Sequence, residues 1–241
     1  MNGIEKRFTE LADRAEDWCV AQFSEFLNME EQSVLSSLRL RTPCTLWGGY
    51  ENAERRIAAF GGADTSDFPI AVIKAQPLNS KFADRLSHRD FLGSLMGLGI
   101  KREVLGDIVI CDNTGYIFCL ETIAEYVLQN LGKVKHTSVK CSVVSALPEE
   151  AQAKPEEKRI NVASERLDVL AAGVYNLSRS QVKELFAARK IFVNSSLCEN
   201  FSFVPKENDV VSVRGYGRFV YLGVCGSTKK GRLVAEILLY K

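Results

Sequence analysis

The chain has seven cysteines, but no two of them are spaced C-x-x-C. Cys19, Cys44, Cys111, Cys119, Cys141, Cys198 and Cys225 are scattered and odd in number, which argues against a zinc site and against a disulfide framework. Most lie in apolar runs, so buried free thiols in a reducing cytosol are expected. No apolar run approaches the roughly 20 residues that span a bilayer, and Met1–Asp17 is too charged for a signal peptide. A cytoplasmic protein with no membrane partner is therefore expected. Glycine-rich phosphate loops are missing as well. Gly97-Leu98-Gly99 and Gly215-Tyr216-Gly217 lack a third glycine, and neither joins a clear strand to a helix. Gly226–Gly231 has P-loop spacing, but Arg232-Leu233 stands where a Lys-Ser/Thr pair is required. No metal and no cofactor is expected.

What is present is a charge split. The 241 residues carry a formal net charge of only +1, with ordinary apolar (46%) and charged (25%) shares that fit a folded soluble chain. Residues 1–150 hold 16 basic and 21 acidic residues, whereas residues 151–241 hold 15 and 9. A basic C-terminal part on a near-neutral chain points to a polyanionic partner there.

The first segment, 1–66, reads as mostly helical. Apolar residues recur at helical spacing across Ile4–Leu27, and Met29–Leu40 suggests a second helix. Pro43 and Gly48-Gly49 interrupt, and Glu51–Phe60 reads as a further helix with Glu51 and Glu54 at its positive end. Arg55 and Arg56 either touch a phosphate or lie on a solvated helix face.

Residues 67–147 read as β-α-β-β-α-β. The strands are Phe68–Ala75, Asp107–Cys111, Tyr116–Leu120 and Val139–Val144. Helices cover Phe82–Leu98 and Glu121–Leu131, and Asp112–Gly115 forms the central turn. This order is ferredoxin-like and is also that of RNA-recognition-motif (RRM-like) domains. Tyr116 and Phe118 alternate on one face of the third strand, where they either stack bases or pack beneath another element. The full RRM aromatic signature is absent. His88 lies near Asp90 without an identifiable nucleophile, and only His136 accompanies it, so an ion-pair or RNA-contact role is expected over catalysis.

Residues 148–159 are charged, contain Pro155 and have little to bury, so they read as a linker. The module at 160–241 follows. A helix near Ser164–Ala172 closes at Gly173. Ser178 caps a second helix, with Gln181 completing a capping box and Val182, Leu185 and Phe186 forming its buried stripe. Ile191–Val193, Val210–Val213, Phe219–Val224 and Leu233–Tyr240 read as strands. Cations cluster on this framework: Arg179 and Lys183 one turn apart, Arg189 and Lys190 at the helix end, Arg214 and Arg218 around glycines, and Lys229, Lys230 and Arg232 in a hairpin tip. The set is the pattern of a nucleic-acid-binding surface.

Arg166-Leu167-Asp168, Leu177–Lys183, Ile191–Asn194 and Asp209–Gly215 resemble the domain named after the fourth small-subunit ribosomal protein, the S-four domain or αL RNA-binding motif. Gly48-Gly49-Tyr50 with Ala53-Glu54-Arg55, His88–Gly93, Gly106-Asp107-Ile108 and Arg214–Arg218 are similar to the bacterial YlmH-like proteins, nearly along the whole chain. The resemblance implies an α+β protein: a helical N-terminal segment, the ferredoxin-like middle domain and a C-terminal S-four domain. It implies a non-catalytic factor that binds rRNA or tRNA on the large ribosomal subunit in rescue of stalled translation. By matching position it assigns RNA contact to Arg166, Ser178, Arg179, Lys183, Arg189 and Lys190. Arg214, Arg218, Lys229, Lys230 and Arg232 join mainly by charge. A monomer is expected, with room for a protein partner on the N-terminal domains.

Two other classes remain. A scaffold linked to cell division would use the acidic N-terminal part to hold protein. An RNA-modifying enzyme with an appended S-four domain would need a catalytic signature in the first 150 residues. The single Arg-Leu-Asp run, Arg166–Asp168, lies in the basic module instead.

Overall fold

A computed structural model describes residues 3–240. The chain divides into two compact units, Met1–Glu31 with Ser37–Gln152, and Gln32–Ser36 with Ala153–Lys241. The fold is α+β with antiparallel sheets.

The first unit opens with α1, Gly3–Trp18, which buries Phe8, Ala12 and Ala15 along one stripe. The helix stops well short of Leu27 because Cys19 takes a left-handed conformation (φ 53°). The short strand β1, Gln22–Phe23, follows. Asn28 then starts α2, Met29–Ser37, whose residues Gln32–Ser36 group with the second unit; the Asn28 Oδ1 accepts from the N–H groups of Glu30 (2.8 Å) and Glu31 (3.1 Å), while Glu31 Oε2 accepts from the Asn28 N–H (2.7 Å). Strand β2, Cys44–Trp47, and strand β3, Ile57–Phe60, complete a three-stranded sheet in the order β1-β3-β2. The helix expected over Glu51–Phe60 is thus a loop followed by a central strand. All four residues of β3 are buried. A strand covered on both faces shows no alternation to distinguish it from a helix.

The larger sheet of this unit contains β4 (Ile70–Pro77), β5 (Leu105–Cys111), β6 (Thr114–Leu120), β7 (Lys133–Val134) and β8 (Thr137–Val144). Their order is β5-β6-β4-β8-β7. With β4, β5, β6 and β8 counted as first to fourth, the order 2-3-1-4 is the ferredoxin-like arrangement. The hairpin turn is tighter than expected: Asp112 and Asn113 both have positive φ (45° and 62°), a two-residue primed turn, and Thr114 already belongs to β6. Gly115 must be glycine, since a Cβ there would lie 2.6 Å from the Phe91 ring.

One face of this sheet carries α3 (His88–Gly97) and α4 (Glu121–Asn130), which bury Phe91, Leu95 and Val127 against Ile73, Ile117 and Cys119. Helix α3 starts at a Ser87–Asp90 capping box, later than the expected Phe82. The other face packs Val72, Tyr116 and Phe118 against Phe26, Ile57, Ala59, Phe68, Leu147 and Ala151. Tyr50 also lies over Phe118, with ring centroids 4.9 Å apart.

The second unit is a six-stranded sheet with two helices on one face. Its elements are β9 (Glu156–Val162), α5 (Leu167–Tyr175), α6 (Arg179–Ala187), β10 (Ile191–Val193), β11 (Ser196–Leu197), β12 (Val210–Val213), β13 (Gly217–Ser227) and β14 (Leu233–Tyr240). The order is β11-β10-β12-β13-β14-β9. The boundary between the units falls between Gln152 and Ala153, within 148–159. Yet Glu156–Arg159 are not linker: they pair with Glu236–Leu239 as an edge strand. Their charges occupy solvated edge positions, which is why they resemble a connector. Gly173 does not close α5; Asn176, at φ 53°, does. The helix passes Gly173 close to β9, where a Cβ would sit 3.3 Å from Ile160.

Candidate nucleic-acid interface

Helix α6 is fixed at both ends by its own sequence. At the start, the Gln181 N–H donates to Ser178 Oγ (3.3 Å) and the Ser178 N–H donates to Gln181 Oε1 (2.9 Å). Val182, Leu185 and Phe186 enter the core. Arg179 and Lys183 are therefore left one turn apart on the exposed side, and among the described residues neither forms an ion pair.

The far end is a Schellman turn. The Lys190 N–H donates to Leu185 (2.9 Å) and the Arg189 N–H to Phe186 (3.0 Å). Arg189 takes the left-handed position (φ 56°), where glycine is usual and another residue costs about 1 kcal/mol. Its side chain meets Glu199 at 3.8 Å, but both are exposed, so the pair holds Arg189 only weakly.

The Lys190 carbonyl accepts from the Arg214 N–H (2.9 Å), which joins the end of β12 to the end of α6. Arg214 lies over the Phe192 ring (5.1 Å) and Arg218 over Tyr240 (4.8 Å). Pairing of Val213 with Gly217 brings Arg214 and Arg218 to one end of the sheet. Gly215 and Gly217 have φ of 88° and 111°, a turn that only glycine accepts easily. It carries exposed Tyr216, whose ring lies 5.7 Å from that of Tyr175. Sequence reasoning left Tyr216 out; the signal was an aromatic between two glycines and two arginines.

The remaining sequence candidates lie elsewhere. Lys229, Lys230 and Arg232 are exposed beyond the Ser227–Leu233 pair, whereas Arg218 pairs with Tyr240 at the opposite end of the hairpin. That separates them by about 30 Å along β13, at the usual rise of about 3.3 Å per residue. Arg166 sits at the start of α5. Its Nε and Nη2 donate to Asp168 (3.0 and 2.8 Å) and it lies 5.5 Å from the Phe201 ring centroid. Its guanidinium is largely engaged within the fold.

In the first unit, Tyr116 and Phe118 are buried, so they pack beneath other elements and cannot stack bases. Arg55 is on neither a helix nor a free surface. Its Nε donates to the Leu105 carbonyl (2.9 Å) and its Nη2 to those of Phe26 (2.8 Å) and Arg102 (3.2 Å). Arg102 Nη1 reaches Leu105 (2.8 Å) and Gly106 (2.9 Å). Asp107 accepts from Tyr50 Oη (2.9 Å) and from the N–H groups of Glu54 (2.7 Å) and Arg55 (3.1 Å). Burial, together with the Arg55 charge, lowers Arg102 to about 10. Burial and then Arg102 push His88 below its usual value, against the weaker pull of Asp107. The motifs Gly48–Arg55 and Gly106-Asp107 thus converge on one structural network, which His88 senses through the charges of Arg102 and Asp107. Among the described residues no cluster of His, Cys, Asp and Glu is arranged to hold a metal, and no helix is long and apolar enough to cross a membrane.

Residues 63–147 match the family model described as "Putative RNA-binding domain in YlmH". The Ribosome-associated protein quality control protein P2 of Bacillus subtilis (strain 168) is 30% identical over 221 residues, which cover 88% of this chain and 84% of that protein. The chain belongs to the YlmH family. The cell division protein ylmH from Streptococcus pneumoniae is a solved structure with a TM-score of 0.48 and 20% identity, covering 58% of this chain and 88% of that one. The YlmH family model spans β4 to β8, so it coincides with the ferredoxin-like sheet and its two helices.

Proposed function

We propose that this YlmH-family chain is a non-catalytic RNA-binding factor that holds rRNA or tRNA on the large ribosomal subunit during rescue of stalled translation. The second unit serves as an S-four type module. One observation carries the reading: α6 presents Arg179 and Lys183 without ion-pair partners, on a capped helix that ends in left-handed Arg189 beside Lys190 and Arg214. A capped helix that leaves Arg179 and Lys183 without ion-pair partners among the described residues keeps them available for phosphates. The family description and the name of the Bacillus subtilis relative support the same direction. Lys229, Lys230 and Arg232 form a separate, peripheral contact in this reading.

Ribosome co-sedimentation across a salt series tests the proposal. RNA-held association weakens steeply with salt, and each lost phosphate contact lowers the log–log slope by about 0.7–0.9. A wild type that never co-sediments, but captures a division protein through its acidic first unit, would favour the scaffold instead.

A further inference from the structure

Nine of the thirteen phenylalanines are buried, whereas Phe82 is 86% exposed. It lies in the loop between β4 and α3, on a one-turn 3-10 helix, Ser80–Phe82, whose start is capped when the Lys81 N–H donates to Asn79 Oδ1 (3.1 Å). Leu78, at the start of the loop, is 65% exposed. Exposed apolar side chains on a slack loop would fold back, but this loop is tied down. The Leu78 N–H donates to the Ser138 carbonyl (3.0 Å) and the Asp84 N–H to Thr137 Oγ1 (2.9 Å). Asn113, in the β5–β6 turn, accepts from the Leu86 N–H (2.6 Å) and donates to the Asp84 carbonyl (2.8 Å). Three anchors on two neighbouring hairpins therefore pin both ends of the loop that carries Phe82.

The loop carries two cations, Lys81 and Arg85, and one carboxylate, Asp84. Lys81 and Arg85 are exposed and, among the described residues, have no ion-pair partner. Exposed Lys135 and His136 form the adjoining β7–β8 turn, where the His136 N–H approaches Asp84 Oδ2 (3.3 Å). The nearby carboxylates are partly occupied: Asp84 in that contact, Asp90 by Ser87 with Lys135 close by. An exposed aromatic flanked by cations without ion-pair partners, on a loop pinned at both ends, can stack an unpaired base while the cations grip its phosphates.

We infer that the Leu78–Arg85 loop is a second RNA contact, in which Phe82 stacks on an unpaired base and Lys81 and Arg85 hold the flanking phosphates. The inference rests on the reading that the chain binds RNA. It replaces the sheet face, closed by burial of Tyr116 and Phe118, with the sheet's end. Single-stranded RNA fits better than a protein groove because the apolar area is one ring and one leucine set among cations.

The test uses the full chain and a short single-stranded oligouridylate carrying one 4-thiouridine. Photocrosslinks should map to the peptide containing Phe82, and should persist in Arg179→Ala/Lys183→Ala. Phe82→Ala should weaken oligonucleotide affinity about tenfold without changing the melting temperature, the size expected for one lost base–aromatic stack. Phe82→Tyr should restore it, and Lys81→Ala/Arg85→Ala should weaken it and flatten its salt dependence. The inference is overturned if Phe82→Ala binds within about twofold of wild type, if crosslinks avoid this loop, or if the wild type does not bind the oligonucleotide. It is equally overturned if Phe82→Ala loses ribosome association yet keeps the oligonucleotide, because the loop then docks protein. Failure here leaves the α6 proposal standing, since that rests on co-sedimentation of Arg179→Ala/Lys183→Ala.

Discussion

Arg55 and Arg179 are the same residue type at opposite ends of one distinction. Arg55 is half-buried and gives three hydrogen bonds to main-chain carbonyls of Leu105, Phe26 and Arg102. Arg179 stands in solvent beside Lys183 with no ion-pair partner among the described residues. Both lie in stretches that resemble family motifs, and a sequence offers no means of telling them apart. The difference is where the donors go. A guanidinium spent on carbonyls is a clip that holds loops to strands. One with free donors on a capped helix keeps its binding capacity for a partner. The first unit's arginine network therefore belongs with stability, and in the proposed function the second unit's cations serve recognition.

The largest predicted effect is at the carboxylate that holds the backbone of the Arg55 loop. Asp107→Ala removes the acceptor of Tyr50 Oη and of two backbone N–H groups, so it should lower the stability of the first unit by about 3 kcal/mol. Hydrogen exchange should show the loss at β3 and β5. Unchanged melting would mean that the Asp107 contacts do not hold this loop.

How much of this could be read beforehand depends on the range of each signal. Helix α6 was legible because Ser178, Gln181 and the stripe Val182, Leu185, Phe186 lie within nine residues. The strands β12 and β14 matched because short aliphatic, β-branched runs are also a local signal. Strand β3 was not legible, since four consecutive buried residues carry no period, and β9 was hidden by the charges on its solvated positions. The end of α1 had no glycine or proline to mark it, only Cys19 turning left-handed. At the candidate site the cations were visible but their bookings were not. Asp168 occupying Arg166, and the hairpin length that carries Lys229–Arg232 away from Arg218, emerge only in three dimensions. So does the covering of Phe118 by Tyr50 and Phe26.

A smaller effect sharpens the comparison within the second unit. Arg189→Gly relieves the left-handed strain and should raise thermal stability by up to about 1 kcal/mol. The same change removes a cation next to Lys190, so ribosome association should weaken. A variant that gains stability and keeps full association would remove Arg189 from the RNA face.

The smallest effect is a pH dependence in the first unit. His88 titrates below its usual value of 6.5 because burial and Arg102 disfavour its charged form. The unfolded chain then takes up the proton first, so stability is full above about 6.5 and falls as pH drops through that value toward the folded pKa. His88→Gln should flatten the melting temperature between neutral pH and pH 5. A slope that survives the substitution would place the titrating group elsewhere.

The most direct test of the division between clip and contact is Arg179→Ala/Lys183→Ala, with melting temperature and ribosome co-sedimentation measured on the same preparation across a salt series. Exposed side chains without partners should leave stability within about 0.5 kcal/mol of wild type. Association should drop, and its dependence on salt should become shallower. Co-sedimentation equal to wild type at moderate salt would contradict the account.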